Sequence, residues 1–304
     1  MTTAIAILLA AASAVALAFG AMFQHSGVVA DERHRSGFSF VHFLALFRNR
    51  SWILGLGFLC AGTVANVIAL ALAPVMVVQP IGAISLVISV LLAVKYRGLK
   101  LSRLIVAAVI VCGLSVGAFV ALSATVARTS LHLGADAHPL AWIGFALTAA
   151  FLVLGLAWRR PPQLLLILGA GLLFACVATS THLVSHQLLH AGLGAITWLN
   201  VVSLAAAGIV GSWFMQAAYA AGPPEMVIAG LTVVDPIFAV FLGSVVLGEA
   251  AGAPIWLISI LVLIGLVACS GVVVLSRYHP DVIERERERR SARALLIRTP
   301  DAGE

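Results

Sequence analysis

Nine apolar runs, each close to twenty residues long, decide what this chain can fold into. A helix of ~20 apolar residues crosses the ~30 Å hydrocarbon core of a bilayer. Hydrophobic residues make up 62% of the 304 and charged residues 10%, a balance that a water-soluble fold cannot bury. This excludes a soluble enzyme, a disordered chain and a disulfide-stapled secreted domain, and it predicts an all-α polytopic membrane protein. The runs cover residues 4–23, 52–72, 75–94, 104–123, 140–158, 163–183, 196–220, 226–247 and 254–275.

The basic residues predict the orientation of these runs. With the N-terminus outside, the cytoplasmic segments hold 17 of the 18 Lys and Arg residues, and the outer segments hold only Arg128. A missed or invented helix would reverse every later segment, so the positive-inside rule favours nine spans with the N-terminus out and the C-terminus in. No basic residue precedes the first run, so we expect a retained helix rather than a signal peptide.

An internal repeat divides the chain. Residues 73–78 (APVMVV) and 223–228 (PPEMVI) lie 150 positions apart, and Asn66 aligns with Gln216. The offset equals five spans, an odd number, so the two copies are expected to have opposite orientations. Inverted repeats with a proline-interrupted helix in each half are typical of secondary transporters. The predicted domains are a first half of four helices (1–123, with an interfacial segment at 24–51), a second half of five helices (140–277) and a polar cytoplasmic tail (278–304).

Few polar groups lie within the spans, and these are the candidate site residues. Asp235 is the one acidic residue deep in a span, where a charge costs about 2.5–3.5 kcal/mol, so it is interpreted as a proton or cation carrier or, alternatively, as a neutral structural group. Pro80 and Pro236 each remove a backbone donor and free a carbonyl at membrane depth, or they kink helices for packing alone. The remaining candidates are neutral. Three are amides that are also consistent with bonds between helices, Asn66, Gln216 and Gln79, and the fourth is Ser85, whose hydroxyl could instead bond its own helix backbone.

Histidines recur every four residues at one end of the sixth run. His182, His186 and His190 fall roughly on one helix face, and clustered imidazoles bind transition metals or sense pH. They extend over ~12 Å of helix, too far for one tetrahedral site. They are therefore weak metal candidates, and the metal assignment stays unknown.

The chain resembles the drug/metabolite transporter superfamily. Pro224, Asp235-Pro236 and Leu247-Gly248-Glu249 resemble the second half of its EamA-type members, whereas residues 79–85 (QPIGAIS), with Trp52, Asn66 and Ala73-Pro74, are similar to the NIPA-like branch. The first half departs from the EamA pattern at Tyr96-Arg97-Gly98, where it lacks the glutamate. The resemblance implies an inverted-repeat transporter bundle and, for the NIPA-like branch, magnesium transport.

Two functions remain open. We expect first a secondary transporter that moves a small solute by alternating access between the inverted halves, with proton exchange at Asp235. The alternative is a magnesium or other divalent-cation transporter. It is ranked second because one buried carboxylate supplies little negative charge and few ligands for a doubly charged ion. No nucleotide-binding loop is present, and we expect no enzymatic activity, cofactor or nucleic-acid partner. The expected location is the cytoplasmic membrane, in contact with lipid.

A Gly113-x-x-x-Gly117 motif raises the question of self-association. Such spacing lets two helices approach closely. Packing within the bundle is the expected role, and a homodimer is the alternative.

Overall fold

The computed structural model describes residues 2–32, 49–97, 103–128, 130, 132–158, 161–221 and 224–277. These ranges contain helices and connecting segments and no β-strand. Nine of the described helical stretches are long and apolar enough to cross a membrane, which confirms the predicted all-α class and the nine spans. Most of the interfacial segment (33–48) and the polar tail (278–304) lie outside the described residues.

Within the described ranges, ten α-helices and three short 3₁₀ segments are present. The third span is composite, because α3, a 3₁₀ segment and α4 follow one another without a loop. The helices are α1 Thr2–Glu32, α2 Arg50–Leu72, α3 Val75–Val78, α4 Ile84–Arg97, α5 Arg103–Val126, α6 His138–Ala157, α7 Gln163–Ala191, α8 Trp198–Ala221, α9 Pro224–Val245 and α10 Ile255–Arg277. The 3₁₀ segments are Gln79–Ala83, Gly134–Ala137 and Leu193–Ala195.

Small residues let α1 and α2 pack closely along their length. A Cβ built at Gly55 would lie 2.8 Å from the carbonyl oxygen of Gly20, and one at Gly62 would lie 3.0 Å from Leu17. The Ser13 hydroxyl donates to the carbonyl oxygen of Gly62 at 2.7 Å. Close backbone approach with a hydrogen bond between helices is the usual way that membrane helices associate without a hydrophobic driving force.

The Gly113-x-x-x-Gly117 motif does not bring another described helix close to α5. No described atom lies within 4 Å of a Cβ built at either glycine. The expected packing role is therefore wrong for the described chain, because the motif is on a face of α5 that no neighbouring helix approaches there. The homodimer remains a prediction.

The longest buried surface belongs to α7, which packs against α2, α6, α8 and α9. It continues to Ala191, beyond the predicted end at Leu183, because its last turns have partners. The Gln187 side chain accepts from the Thr197 N–H at 2.9 Å and donates to the Thr197 hydroxyl at 3.0 Å. The helix stops where Gly192 takes φ of +78°, a conformation that favours glycine.

A backbone break separates α2 from α3. Ala73 is extended, with φ of −146° and ψ of 158°, and Pro74 follows with φ of −54° and ψ of 146°. A residue before proline is pushed out of the helical region by the proline ring, and proline itself has no N–H to continue the ladder. The predicted Ala73-Pro74 motif therefore acts as a helix stop, and a new helix starts at Val75.

The two interrupting prolines lie in different local structures. Pro80 is in the first turn of the 3₁₀ segment Gln79–Ala83, where its missing N–H costs little. Pro236 lies inside α9, which continues around it. The interruption is thus a change of helix type in the third span and a missing hydrogen bond in the eighth.

Candidate transport site

Asp235 is held in the bundle by the contact between α9 and α7. A Cβ built at Gly171 on α7 would lie 2.6 Å from a Val234 methyl and 3.4 Å from the Asp235 backbone nitrogen. The residue as a whole is half-buried, but its Oδ1 is fully buried and has no hydrogen-bond partner among the described residues. A buried carboxyl oxygen without a donor is costly, so this atom is available for a proton or a cation.

The neutral candidates do not gather around Asp235 in a common cavity. Asn66 on α2 also has a buried Oδ1 with no partner among the described residues. Gln216 is exposed on α8, Gln79 is half-buried at the start of the 3₁₀ segment, and the Ser85 hydroxyl donates to the carbonyl oxygen of Gly82 at 2.7 Å. Ser85 thus bonds its own chain, whereas Asn66 shares the unpartnered oxygen seen at Asp235.

The two prolines line the same cavity, which has a volume of about 550 Å³ and lies between the third span, α5, α9 and α10. Pro80 and Pro236 line it together with Phe119, Phe241 and Thr232. Its described lining is mostly apolar and does not include Asp235 or Asn66. The two proline-containing spans thus line one space, which suits an apolar group better than a bare ion.

The three histidines stack along α7 instead of converging. The ring centroids are 5.8 Å apart for His182 and His186 and 4.0 Å apart for His186 and His190. Among the described residues, no three His, Cys, Asp or Glu side chains form a group that could hold a metal ion. His182 differs from the other two, because it is buried and its Nδ1 is hydrogen-bonded to the carbonyl oxygen of Leu70.

Glu249 is the best-connected acid of the described chain, although it lies in the connection between α9 and α10. It is buried, and its two carboxylate oxygens accept the N–H groups of Val75 and Met76 at 2.6 and 2.8 Å. These are first-turn donors of α3, which have no partner inside the helix. His182 Nε2 lies 3.6 Å from Glu249 Oε1. A residue of the predicted second half thus caps the helix that follows the break in the predicted first half.

Local structure aims Glu249 at this position. Its own N–H donates to the carbonyl oxygen of Gly243 at 3.0 Å, and its carbonyl oxygen accepts the Arg128 N–H at 2.9 Å. Gly248, immediately before it, has φ of +65°, which turns the chain back toward the bundle. Burial raises the pKa of the Glu249 carboxyl from 4.5 to about 7, against the opposing effect of the two N–H donors.

Glu249 belongs to the Leu247-Gly248-Glu249 motif of the superfamily resemblance, but it is not among the site residues predicted from the sequence. The available signal was that motif, together with a lone acid in an apolar connection. Hydropathy places it outside the spans, and its partners are 173 and 174 residues away in sequence. The contact therefore needs the folded chain to be seen.

Comparison with known proteins gives the family. The family model for the magnesium transporter NIPA matches residues 2–155, just over half of the chain. An uncharacterized protein of Corynebacterium glutamicum is 26% identical over 255 residues, which cover 81% of this chain and 85% of the relative. No solved structure matches.

The match agrees with the resemblance carried by residues 79–85 and by the Ala73-Pro74 break, both of which lie in the matched part. It also agrees with the nine apolar spans. The chain is a multi-pass membrane transporter and belongs to the NIPA magnesium transporter family.

Proposed function

We propose that this protein transports a divalent cation, magnesium first, by alternating access in the cytoplasmic membrane. The observation that carries the proposal is the unpartnered, buried Oδ1 of Asp235 inside a span of a chain from this family. Transporting a cation through hydrocarbon requires oxygen ligands and a compensating negative charge. Asp235 supplies both.

The form in which the ion passes follows from the ligand count. Mg²⁺ dehydrates reluctantly and usually keeps several waters, binding through one or two carboxylates. The described spans contain one carboxylate at this depth, Asp235, and two further buried unpartnered oxygens, the amide oxygens of Asn66 and Asn200. A largely hydrated ion, attracted by Asp235 and steered by amide oxygens such as that of Asn66, fits this sparse set better than a dehydrated ion.

A second candidate is favoured by the cavity at Pro80 and Pro236. Its volume of about 550 Å³ and its apolar lining match the size and character of small-molecule sites. In this case the substrate is a small solute with an apolar body, and Asp235 carries the coupling proton. Because the chain belongs to the NIPA family, we rank this candidate behind the cation, which is the reverse of the order expected from residue chemistry.

The two candidates are separated by an uptake experiment with purified protein in liposomes. A Mg²⁺-sensitive dye inside the vesicles should report uptake by the wild type in the absence of a proton gradient. Asp235→Asn keeps the shape and removes the charge, and we expect uptake to fall at least about tenfold, since even an outer-shell partner of a metal is worth about 10–100-fold. Asp136→Asn is the matched control, because Asp136 is exposed in a 3₁₀ segment between two spans, and it should transport like the wild type.

The opposite results are equally informative. Mg²⁺ uptake that is unchanged in Asp235→Asn would overturn the cation proposal. If the wild type moves no Mg²⁺ but takes up an organic solute only when a proton gradient is imposed, the second candidate replaces the first.

A further inference from the structure

We propose that His182 and Glu249 together form a proton-binding site of the transport cycle. The site holds one proton while the end of the bundle at the α2–α3 break is closed, and it releases the proton when that end opens. Neither residue of the pair is in the described lining of the cavity at Pro80 and Pro236, although Met76, whose N–H Glu249 accepts, and Ala250 are. The proposal rests on the alternating-access function proposed above. It does not depend on which substrate moves.

The hydrogen bonds place the proton. A carbonyl oxygen only accepts, so His182 Nδ1, which is bonded to the Leu70 carbonyl, carries a hydrogen. The other ring nitrogen, Nε2, faces Glu249 Oε1 at 3.6 Å. With a neutral ring and an ionised carboxylate, two lone pairs would face each other in a buried site. One further proton, on Nε2 or on the carboxyl, removes this repulsion.

The pair also forms hydrogen bonds on both sides of the break between α2 and α3. His182 holds the last turn of α2 through the Leu70 carbonyl, and Glu249 holds the first turn of α3 through the N–H groups of Val75 and Met76. These contacts join α7 and the α9–α10 connection, from the second half, to the first half. We call this set of contacts the latch. Since alternating access requires the two halves to separate at one end, the latch must open in every cycle.

The charged neighbours of the pair are few. From α7, the His186 ring stacks on His182. From the segment after α5, Arg128 contributes its backbone N–H while its side chain is exposed, and His132 is engaged with Ser130. The contacting residues of α3 and α9 are Val75, Met76 and Gly243, which carry no charge. His182 is the basic group within 4 Å of the Glu249 carboxylate among the described residues.

Linkage fixes the direction of the effect. In the closed latch, burial holds the pKa of Glu249 near 7, whereas a carboxyl that has moved into water returns to its ordinary value of 4.5. The closed state therefore binds the proton more tightly than the open state, and opening releases it. Opening becomes easier as the pH rises from 4.5 to about 7 and stops changing above that.

Hydrogen exchange of the Val75 and Met76 amides measures the latch directly, because these N–H groups are the donors that Glu249 covers. The full-length protein in lipid nanodiscs, without added substrate, is exchanged between pH 5 and 8, and rates are corrected for the intrinsic pH dependence of amide exchange. As the pH is raised toward 7, the protection of these amides in the wild type should fall by up to about tenfold per pH unit, which is the slope for one released proton. Above pH 7 the protection should stay constant.

Two variants assign this slope to the pair. Glu249→Gln cannot titrate, so its protection, whatever its absolute level, should not change with pH. His182→Asn keeps an N–H for the Leu70 carbonyl but has no second ring nitrogen, so the slope should persist with a displaced midpoint. Asp136→Asn, at an exposed acid, should reproduce the wild-type curve.

A flat wild-type curve, or a wild-type slope in Glu249→Gln, would overturn the proposal. If Glu249→Gln does not fold, a pH midpoint in His182→Asn equal to that of the wild type would also overturn the proposal. The outcome is independent of the magnesium experiment. A pH slope without Mg²⁺ uptake supports the latch and rejects the cation, and uptake without a slope does the reverse.

Discussion

The third and eighth spans occupy corresponding places in the sequence repeat, yet they are built differently. The third span breaks at Ala73-Pro74, restarts as α3 and passes through a 3₁₀ segment before α4. The eighth span is a single helix, α9, with Pro236 inside it. At the 150-residue offset, Pro80 aligns with Gly230 and Pro236 with Leu86, so each half has its own interruption.

The difference extends to the residues that hold each span. The restart of the third span is capped by Glu249, which comes from the other half. At the same offset Glu249 aligns with Leu99, and the residues before it, Tyr96-Arg97-Gly98, include no acid. One end of the molecule therefore carries a carboxylate contact between halves that the repeat does not reproduce. Sequence symmetry predicts where the proline-interrupted helices lie, but it does not predict which of them is capped by a distant acid.

The largest expected effect comes from removing that contact. Glu249→Ala leaves the Val75 and Met76 N–H groups buried without an acceptor, and hydrogen bonds to a charged group contribute about 1.5–3 kcal/mol each. We expect a loss of roughly 2–4 kcal/mol after the relief of burying the acid, measured as a lower thermal unfolding midpoint in detergent. Asp136→Ala, at an exposed acid, should stay near the wild type. Equal midpoints in the two variants would mean that the cap does not hold the third span.

A smaller effect should distinguish the glycines of the two spans. A Cβ at Gly230 would collide with Ile167 on α7, whereas a Cβ at Gly82 in the third span meets no described atom within 4 Å. Gly230→Ala should cost about 1–3 kcal/mol through overpacking, and Gly82→Ala should leave the unfolding midpoint nearly unchanged. A stable Gly230→Ala protein would show that α9 can move away from α7 freely.

The smallest stability effect is expected at the two prolines. Pro236→Ala restores a backbone N–H within reach of the Thr232 carbonyl and should stabilise α9 by up to about 1 kcal/mol. Pro80→Ala adds an N–H at the first turn of a 3₁₀ segment, where none is needed. We expect initial uptake rates to fall in Pro236→Ala and to stay close to the wild type in Pro80→Ala. The reverse order would place the working hinge in the third span.

The sequence was informative for some site residues and not for others. Asp235 could be found by scarcity, because hydropathy leaves one acid at that depth, and its buried oxygen is unpartnered among the described residues. The metal interpretation of His182 could not be tested by spacing alone, since spacing does not show that this ring bonds Leu70 and faces Glu249. Gln216 shows the limit of repeat symmetry, because it aligns with Asn66 but is exposed on α8.

The nine apolar spans and the break at Ala73-Pro74 can be predicted from the amino-acid sequence without a structure. The cost of exposing backbone in hydrocarbon and the restrictions of proline act locally and are visible residue by residue. That Glu249 caps the far side of this break, with His182 beside it, becomes visible in the folded bundle. The hydrogen bonds of Glu249 to Val75 and of His182 to Leu70 connect positions more than a hundred residues apart, and they exist because helix packing encloses buried polar groups that must find partners.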